Sequence, residues 1–354
     1  MAVTATATIA GPVNVDFQRM LLKTASPNCP YFAGSVPAVI AEHSGTFTAK
    51  WRRIENISPS TTALTEIAAE TYPPRTGASL SVTDTTATVS KYGQVLFLTE
   101  EVDLINFNEQ TADLILKLGK AAGRSLNQLQ RNQVEDNGTF VYASGATADS
   151  GVGDPISVGL FRNVTNTLQR NDAMPFTAMT SGSGNEGTSP ILPAYWAFMH
   201  PDVANDTSLL SGFVSIEKYA QQTTTVPGEF GMVSGAGVGV RCVMSSDASV
   251  DTDSGASAGS LRSTSGTSAD LYSVVVIGED YHGSVGLGTG HLKEIYKAGD
   301  QLPAVIMINK PFGSAGTADP LNEISTLSYK AWHASTILDS SWGRTIRVGA
   351  NKLT

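Results

Sequence analysis

The stretch NEQTADLILKLGKAAGRSLNQLQRNQVE, residues 108–135, decides how the rest of the chain is read. Leu114, Leu118, Ala121, Leu126 and Leu129, with Ile115, Ala122 and Val134 beside them, recur at three- and four-residue steps. That period predicts an apolar stripe on one long α-helix. Asn108 can cap its first turn, with Phe107 and Ala112 placed for a hydrophobic staple. Glu109 and Asp113 lie early while Lys117, Lys120, Arg124 and Arg131 lie later, so charge follows the helix dipole and Asp113 can pair with Lys117. At ~1.5 Å per residue the helix would run roughly 40 Å. Gly119 and Gly123 each cost a solvated helix about 1 kcal/mol against Ala, so a close neighbour is expected across their face.

Outward from the helix, composition narrows the class. The 354 residues suffice for two packed cores, or one core with large excursions. Only 16% are charged, which is low for the surface of a free monomer. Either much of the surface is buried against other chains, or the chain is an extracellular β-protein. A net charge of −9 argues against a dedicated nucleic-acid binder with a clustered basic face. Cys29 and Cys242 are too far apart in sequence for a disulfide framework or a metal spacing, and free thiols are expected. Residues 1–12 show no basic start before an apolar core, so no signal peptide is expected. No apolar run reaches the ~18 residues of a membrane span.

Residues 1–45, rich in Ala, Thr, Val and Pro, read as an extended arm lying on neighbouring surfaces. From residue 46 the pattern becomes β. Phe47, Ala49, Trp51 and Arg53 alternate with Thr48, Lys50, Arg52 and Ile54, and a second extended run follows at 80–97. Residues 46–98 thus predict a long two-stranded excursion with an irregular tip, which needs a surface to lie on. Lys50, Trp51, Arg52 and Arg53 on its strand and Thr62, Leu64, Glu66 and Arg75 near its tip are the candidate inter-subunit contacts. Residues 99–104 form a short helical turn and 157–169 a second, shorter helix. A Gly/Ser/Thr-rich boundary covers 172–190. Residues 194–199 predict a strand, and Pro201 a helix start whose apolar side continues through Leu209, Leu210, Phe213, Val214 and Tyr219. Strands are expected at 230–244, 272–277 and 303–308, and in the extended block 319–348. Residues 245–269 predict a mobile Ser/Gly/Asp/Thr surface loop.

The motifs that carry chemistry elsewhere are incomplete in this sequence. Gly255-Ala256-Ser257-Ala258-Gly259 matches a nucleophile elbow by letter but lacks a buried strand before it and a helix after it. Asp247, Asp251 and Asp253 imitate part of a calcium loop whose terminal Glu position holds Arg262. Glycines at 235, 237 and 239 and at 286, 288 and 290 do not complete a dinucleotide motif. His43, His200, His282, His291 and His333 make no metal spacing, and His200 before Pro201-Asp202 reads as structural. No catalytic residue, cofactor or metal is expected.

The order of parts, together with local matches, carries a resemblance. The matches are Thr61-Thr62-Ala63-Leu64-Thr65-Glu66, Ser81-Val82-Thr83, Tyr92-Gly93, Leu98-Thr99, Leu126-Asn127-Gln128-Leu129 and His200-Pro201-Asp202. Further on come Gly228-Glu229-Phe230-Gly231, Ile277-Gly278-Glu279-Asp280-Tyr281, Asp319-Pro320-Leu321 and Lys330-Ala331-Trp332. Together they resemble the major capsid proteins of tailed double-stranded-DNA bacteriophages, in particular the podovirus-type branch, whose fold is shared with encapsulins and the herpesvirus capsid floor. The resemblance implies an α+β fold with an N-terminal arm (1–45), an extended β loop (46–98) and a peripheral domain (99–180) carrying the spine helix at 108–135. An axial domain (181–318) and return strands of the peripheral domain (319–354) follow. It implies a non-enzymatic structural protein that self-assembles into hexamers and pentamers of an icosahedral procapsid and virion shell, in the cytoplasm of a bacterial host. Its partners would be copies of itself, portal and scaffolding proteins, a decoration protein, and packaged double-stranded DNA held without sequence specificity, with no membrane. The alternatives are an encapsulin-like nanocompartment shell and a monomeric β-rich hydrolase using His200 or Ser257.

Overall fold

In the computed structural model the described residues are 30–41, 43–61, 79–105, 110–136, 139–177, 192–219, 226–234, 237–287, 305–314 and 319–352. Among them the chain runs β1 (Val36–Ile40), β2 (Thr48–Ile54), β3 (Val82–Thr88), β4 (Ser90–Thr99), α1 (Glu100–Ile105), α2 (Gln110–Glu135), β5 (Phe140–Tyr142), α3 (Val158–Arg170), β6 (Ala194–Met199) and α4 (Pro201–Ser208). It continues with β7 (Phe213–Ser215), β8 (Glu229–Ser234), β9 (Gly239–Met244), β10 (Val250–Asp251), β11 (Leu271–Ile277), β12 (His282–Leu287), β13 (Val305–Lys310), β14 (Ile324–Ile337) and β15 (Gly343–Val348). The class is α+β. The N-terminal arm up to residue 29, the Asn108 cap, the Phe107 staple and Cys29 lie outside the described residues.

The long helix is present, but its buried line is turned by about one position from the leucine stripe. Ile115, Leu118, Gly119, Ala122, Gly123, Asn127, Gln130 and Val134 are buried, while Leu114, Ala121, Leu126 and Leu129 sit at the margin. Both glycines face inward, where close packing was expected. The first half of α2 presses Ile115, Leu118 and Ala122 on Val305, Met307, Leu327, Tyr329 and Ala331 of β13 and β14. Fully burying an Ile or a Leu is worth about 1.5–3 kcal/mol, so this seam is the main anchor of the helix. Val134, one end further on, joins a different cluster with Tyr31, Phe198, Val243, Val275, Ile277 and Tyr281. One helix therefore spans two cores. At the changeover Arg124 Nε donates to Asp247 Oδ1 (2.8 Å), Asn127 Nδ2 to Asp247 Oδ2 (3.0 Å), and the Tyr31 amide to Asn127 Oδ1 (3.2 Å).

The cores belong to two sheets. In the five-stranded sheet, β14 pairs with β4 and β13 along its first half and with β12 along its second, and β12 is joined in parallel by β1. The eight-stranded sheet has the order β5-β15-β11-β6-β9-β8-β7, with β10 on β11. Its central strand β11 is buried at every residue, because alternate side chains enter opposite cores. Val274 and Val276 meet Phe161, Val164 and Leu168 of α3 and Val203 of α4, whereas Val275 and Ile277 meet Val134 and Tyr31. Helix α3 begins where the sequence places it, with Ser157 Oγ accepting from the Leu160 amide.

Several expectations change. The excursion at 46–98 is not one two-stranded element: β3 pairs with β2, but β4 turns away after Val89 and pairs with β14 over ten residues. The apolar residues after Ser208 do not extend α4. Gly212 adopts a left-handed φ of 85° and Phe213–Ser215 forms a strand on β8, because alternation on the sheet edge places Phe213 and Val214 better than a further turn would. Residues 245–269 are folded and not a mobile loop. The Leu261 and Ala269 side chains are buried, the Arg262 amide donates to Ala350, and the Lys352 amide donates to Ser260. Short polar side chains supply the missing order: Ser268 N–H bonds Asp253 Oδ1, and both Asp253 N–H and Thr264 Oγ bond the Asp270 carboxylate. Sheet membership also crosses residue 318, since β12 and β13 pair with β14 while β15 joins the eight-stranded sheet. The Gly/Ser segment 181–190 lies outside the described residues.

Gly93 marks how tightly β4 and β14 meet. A Cβ there would collide with the Tyr329 carbonyl oxygen, a backbone atom that cannot move aside. Gly93→Ala is expected to lower subunit stability by about 1–3 kcal/mol, read as a lower urea midpoint at unchanged slope.

Candidate assembly surface

Strands β2 and β3 form a ribbon in the register Thr48↔Thr88 to Ile54↔Val82. Its two faces differ as a period of two requires. The inner face carries Ala49, Trp51 and Arg53. Trp51 packs with Ile40, Ala87, Val89, Val285 and Ala334, and its indole lies so close over Gly283 that a Cβ there would come within 2.6 Å of the ring. Arg53 donates to Glu55 (Nε 3.1 Å, Nη2 2.8 Å) and to Asp339, and its guanidinium stands 5.5 Å from the centre of the Trp342 ring.

The outer face carries Lys50 and Arg52. Both hold Asp84 of β3, Arg52 in a two-pronged contact (2.9 and 3.2 Å) and Lys50 at 2.5 Å. The Arg52 hydrogen bond, with Lys50 behind it, keeps the Asp84 carboxyl well below the usual carboxylate range. Of the candidate contacts, then, Trp51 and Arg53 make contacts within the chain on the inner face, and Lys50 and Arg52 face outward around a shared acid. Thr62, Leu64, Glu66 and Arg75 lie outside the described residues.

What the sequence reading missed is apolar. At the last pair of the ribbon and just beyond it, Ile54 (60%), Ile57 (57%) and Leu80 (59%) are exposed. A second patch lies where β4 runs into α1 and the chain enters β14, with Phe97 (72%), Leu104 (75%) and Leu321 (74%) open. The register explains Phe97. It pairs with Thr326, whose neighbours Leu327 and Leu96 face α2, so Phe97 and Val95 point to the other side of the sheet. Clusters of large uncovered side chains mark surfaces that another molecule covers. The alternation at 95–98 was visible in the sequence, but not which side α2 takes.

The residues of the incomplete motifs make contacts that serve the fold. His200 is the N-cap of α4, its Nδ1 accepting from the Asp202 amide at 3.2 Å. Asp202 is held by Arg262 (2.9 Å) and by the Tyr272 hydroxyl (2.9 Å), and burial pushes the His200 pKa down. Ser257 sits in an isolated bridge to Ser268, in a stretch with no helix behind it. Asp247 faces α2, Asp251 faces Arg347 (2.7 Å), and Asp253 caps local turns, so the three do not converge. Among the described residues no group of three or more His, Cys, Asp or Glu is placed to hold a metal. Cys242 is a free, fully buried thiol whose pKa is raised by burial. Among the described residues no helix is long and apolar enough to cross a membrane.

No protein-family model and no curated protein sequence matches the chain. Solved structures do match it over nearly all of its length. The capsid of Ralstonia phage GP4 aligns with TM-score 0.61 at 11% identity, covering 92% of this chain and 92% of that one. The capsid structure of the cyanophage P-SCSP1u gives 0.52 at 12%, covering 90% and 87%. The acid-stable capsid of Helicobacter pylori bacteriophage KHP30 gives 0.52 at 10%, covering 92% of both chains. At such identities it is the arrangement of elements that is shared: this chain has the fold of phage capsid subunits.

Proposed function

We propose that the chain is the major capsid protein of a tailed double-stranded-DNA phage, a structural subunit that assembles into an icosahedral shell. The observation that carries this reading is the likeness, over 92% of both chains, to the GP4 capsid subunit. The uncovered apolar ends of the ribbon and of β4 support it, because a head-to-tail contact between two different patches closes into rings and shells. In this reading the eight-stranded sheet is the axial domain, gathered around the hexamer and pentamer axes. The five-stranded sheet with α2 is the peripheral domain, and the ribbon is the extended loop that overlaps a neighbour. Each subunit makes several modest contacts at once, and the shell draws its strength from their number.

A net charge of −9 suits a container that releases its DNA, since extensive phosphate neutralisation would bind it tightly and make binding steeply salt-dependent. Portal and scaffolding proteins and the packaged DNA are the partners this function requires, and host cytoplasm is the place of assembly. Electron microscopy of the purified chain with sedimentation analysis tests the reading: closed polyhedral particles or hexameric capsomers are expected. A subunit that stays monomeric under assembly conditions would sink it, and particles that enclose protein cargo in place of DNA would assign the shell to a nanocompartment.

A further inference from the structure

One point in the molecule touches all three of its parts. Arg53 belongs to the ribbon, and pairs there with Glu55, which also accepts from Thr83 Oγ of the opposite strand at 2.6 Å. Its remaining guanidinium nitrogen reaches Asp339, which follows the end of β14 and so terminates the five-stranded sheet. Asp339 is in turn the cap of the single 3-10 turn Ser340–Trp342, accepting from the Ser341 amide (2.8 Å) and hydroxyl (2.6 Å). That turn delivers the chain to β15 and the eight-stranded sheet. Its Trp342 lies under the Arg53 guanidinium and donates through Nε1 to the Asn171 carbonyl after α3 (3.1 Å). Beside these contacts an open cleft of about 220 Å3, lined by Trp51, Arg53, Asp280, Asp339 and Trp342 among others, separates ribbon from body.

We propose that Arg53 is a positioning residue for assembly, a latch that sets the pitch of the ribbon against the junction of the two sheets. The proposal rests on the shell reading above. A two-stranded ribbon has little stiffness of its own; Ala49, Trp51 and Ala87 seat one end of it on Ile40, Val285 and Ala334, and beyond that seat it can rock into the cleft. The planar guanidinium supplies the second point, because it binds two carboxylates in fixed directions and stacks on an indole at once. Two fixed points define an angle. The exposed apolar end at Ile54, Ile57 and Leu80 is then presented in one direction, and the curvature of the assembled shell follows from that direction.

The test uses the full chain with Arg53→Ala and Arg53→Lys, read by amide hydrogen exchange of the unassembled subunit and by electron microscopy after assembly. In Arg53→Ala, the amides of β2 and β3 are expected to exchange about tenfold faster or more, while those of β11 keep wild-type protection. Its assembly products should be open sheets or particles of mixed diameter under conditions where the wild type closes uniformly. Arg53→Lys keeps the charge opposite Asp339 but not the planar stack, and should restore part of the uniformity. Unchanged exchange in the ribbon together with uniform shells would overturn the proposal. So would loss of protection in β11 along with the ribbon in both variants, which would make Arg53 a general stabiliser. If the wild type itself fails to assemble, the shell reading fails, and ribbon exchange still decides whether the latch exists.

Discussion

Glu229→Ala is expected to destabilise the subunit by about 3–5 kcal/mol, the range for breaking one side of a buried ion pair. Glu229 on β8 and Arg241 on β9 are both without exposed side-chain surface, with Nε and Oε1 3.6 Å apart. The carboxylate does more than balance a charge. Oε1 accepts from the Tyr219 hydroxyl (2.8 Å) and Oε2 from the Val226 amide (3.2 Å), so it holds the two described residues that flank 220–225. The Arg241 guanidinium also lies 5.5 Å from the Tyr219 ring centre. Burial, and then the adjacent carboxylate, push the Tyr219 hydroxyl far up, so it stays a donor at any ordinary pH. Truncating Glu229 takes a carboxylate away from a buried guanidinium inside the sheet and strips two donors of their acceptor. Tyr219→Phe, which removes one donor only, should cost about 1 kcal/mol. The double variant Glu229→Leu with Arg241→Met removes both charges together and should recover the part of the loss that comes from the unbalanced charge, while the Tyr219 hydroxyl and the Val226 amide stay without their acceptor. Urea unfolding of the set measures this. A Glu229→Ala loss no larger than that of Tyr219→Phe would mean that the pair is solvated in the molecule.

The sequence revealed elements whose partners are near in the chain or whose period is strong. Residues 110–135 were legible as a helix because eight apolar residues repeat at helical spacing, and β14 because Leu327, Tyr329, Ala331 and His333 alternate over a long run. Ser157, Pro201 and Asp339 acted as local punctuation that tertiary contacts did not override. The buried line of α2 was misplaced because Asn127 and Gln130, amides that a hydrophobicity argument sends to solvent, lie fully buried where the helix passes from one sheet to the other. Only long-range contacts reveal this: Asn127 answers Tyr31 and Asp247, 96 and 120 residues away.

The candidate site was half legible for the same reason. Lys50, Arg52 and Arg53 stood out as a basic cluster, and alternation alone sends Arg53 to the opposite face from the other two. That the inward position ends at Asp339, 286 residues on, depends on β14 having already brought that turn to the ribbon. Likewise the openness of Phe97 is a property of which side of the sheet α2 covers. Composition misled once: the Ser/Gly/Asp-rich run at 245–269 lacks apolar period because it is ordered by side-chain hydrogen bonds and by the C-terminal residues Ala350 and Lys352.

Acidification from about pH 6.5 to about pH 4 is expected to remove roughly 3 kcal/mol of stability for each of two histidines. His282 is buried with Nε2 3.2 Å from the Tyr31 carbonyl, and among the described residues its Nδ1 meets no partner. His333 lies beside the Phe32 ring, its centre 5.4 Å away, with Nε2 likewise unmet. Burial pushes both down to about 4 from an ordinary 6.5. Between those values the unfolded chain binds protons that the folded one refuses, so stability is full above about pH 6.5 and falls with pH until the folded histidines protonate near 4. The lowered His200 acts in the same sense. Glu135, raised by burial, acts against it, since its folded carboxyl gains a proton first and so offsets part of the loss. Asp84 does not contribute, because its depressed carboxyl matters only below the usual carboxylate range. Both histidines contact residues 31–32, so opening should begin there and expose Tyr31 before the sheets separate. Unfolding midpoints at pH 7, 5.5 and 4.5 measure the slope, and His333→Phe, which matches the apolar surroundings and cannot titrate, should remove about half of it. A midpoint that is level across this range would show that the two imidazoles already find acceptors in the folded subunit.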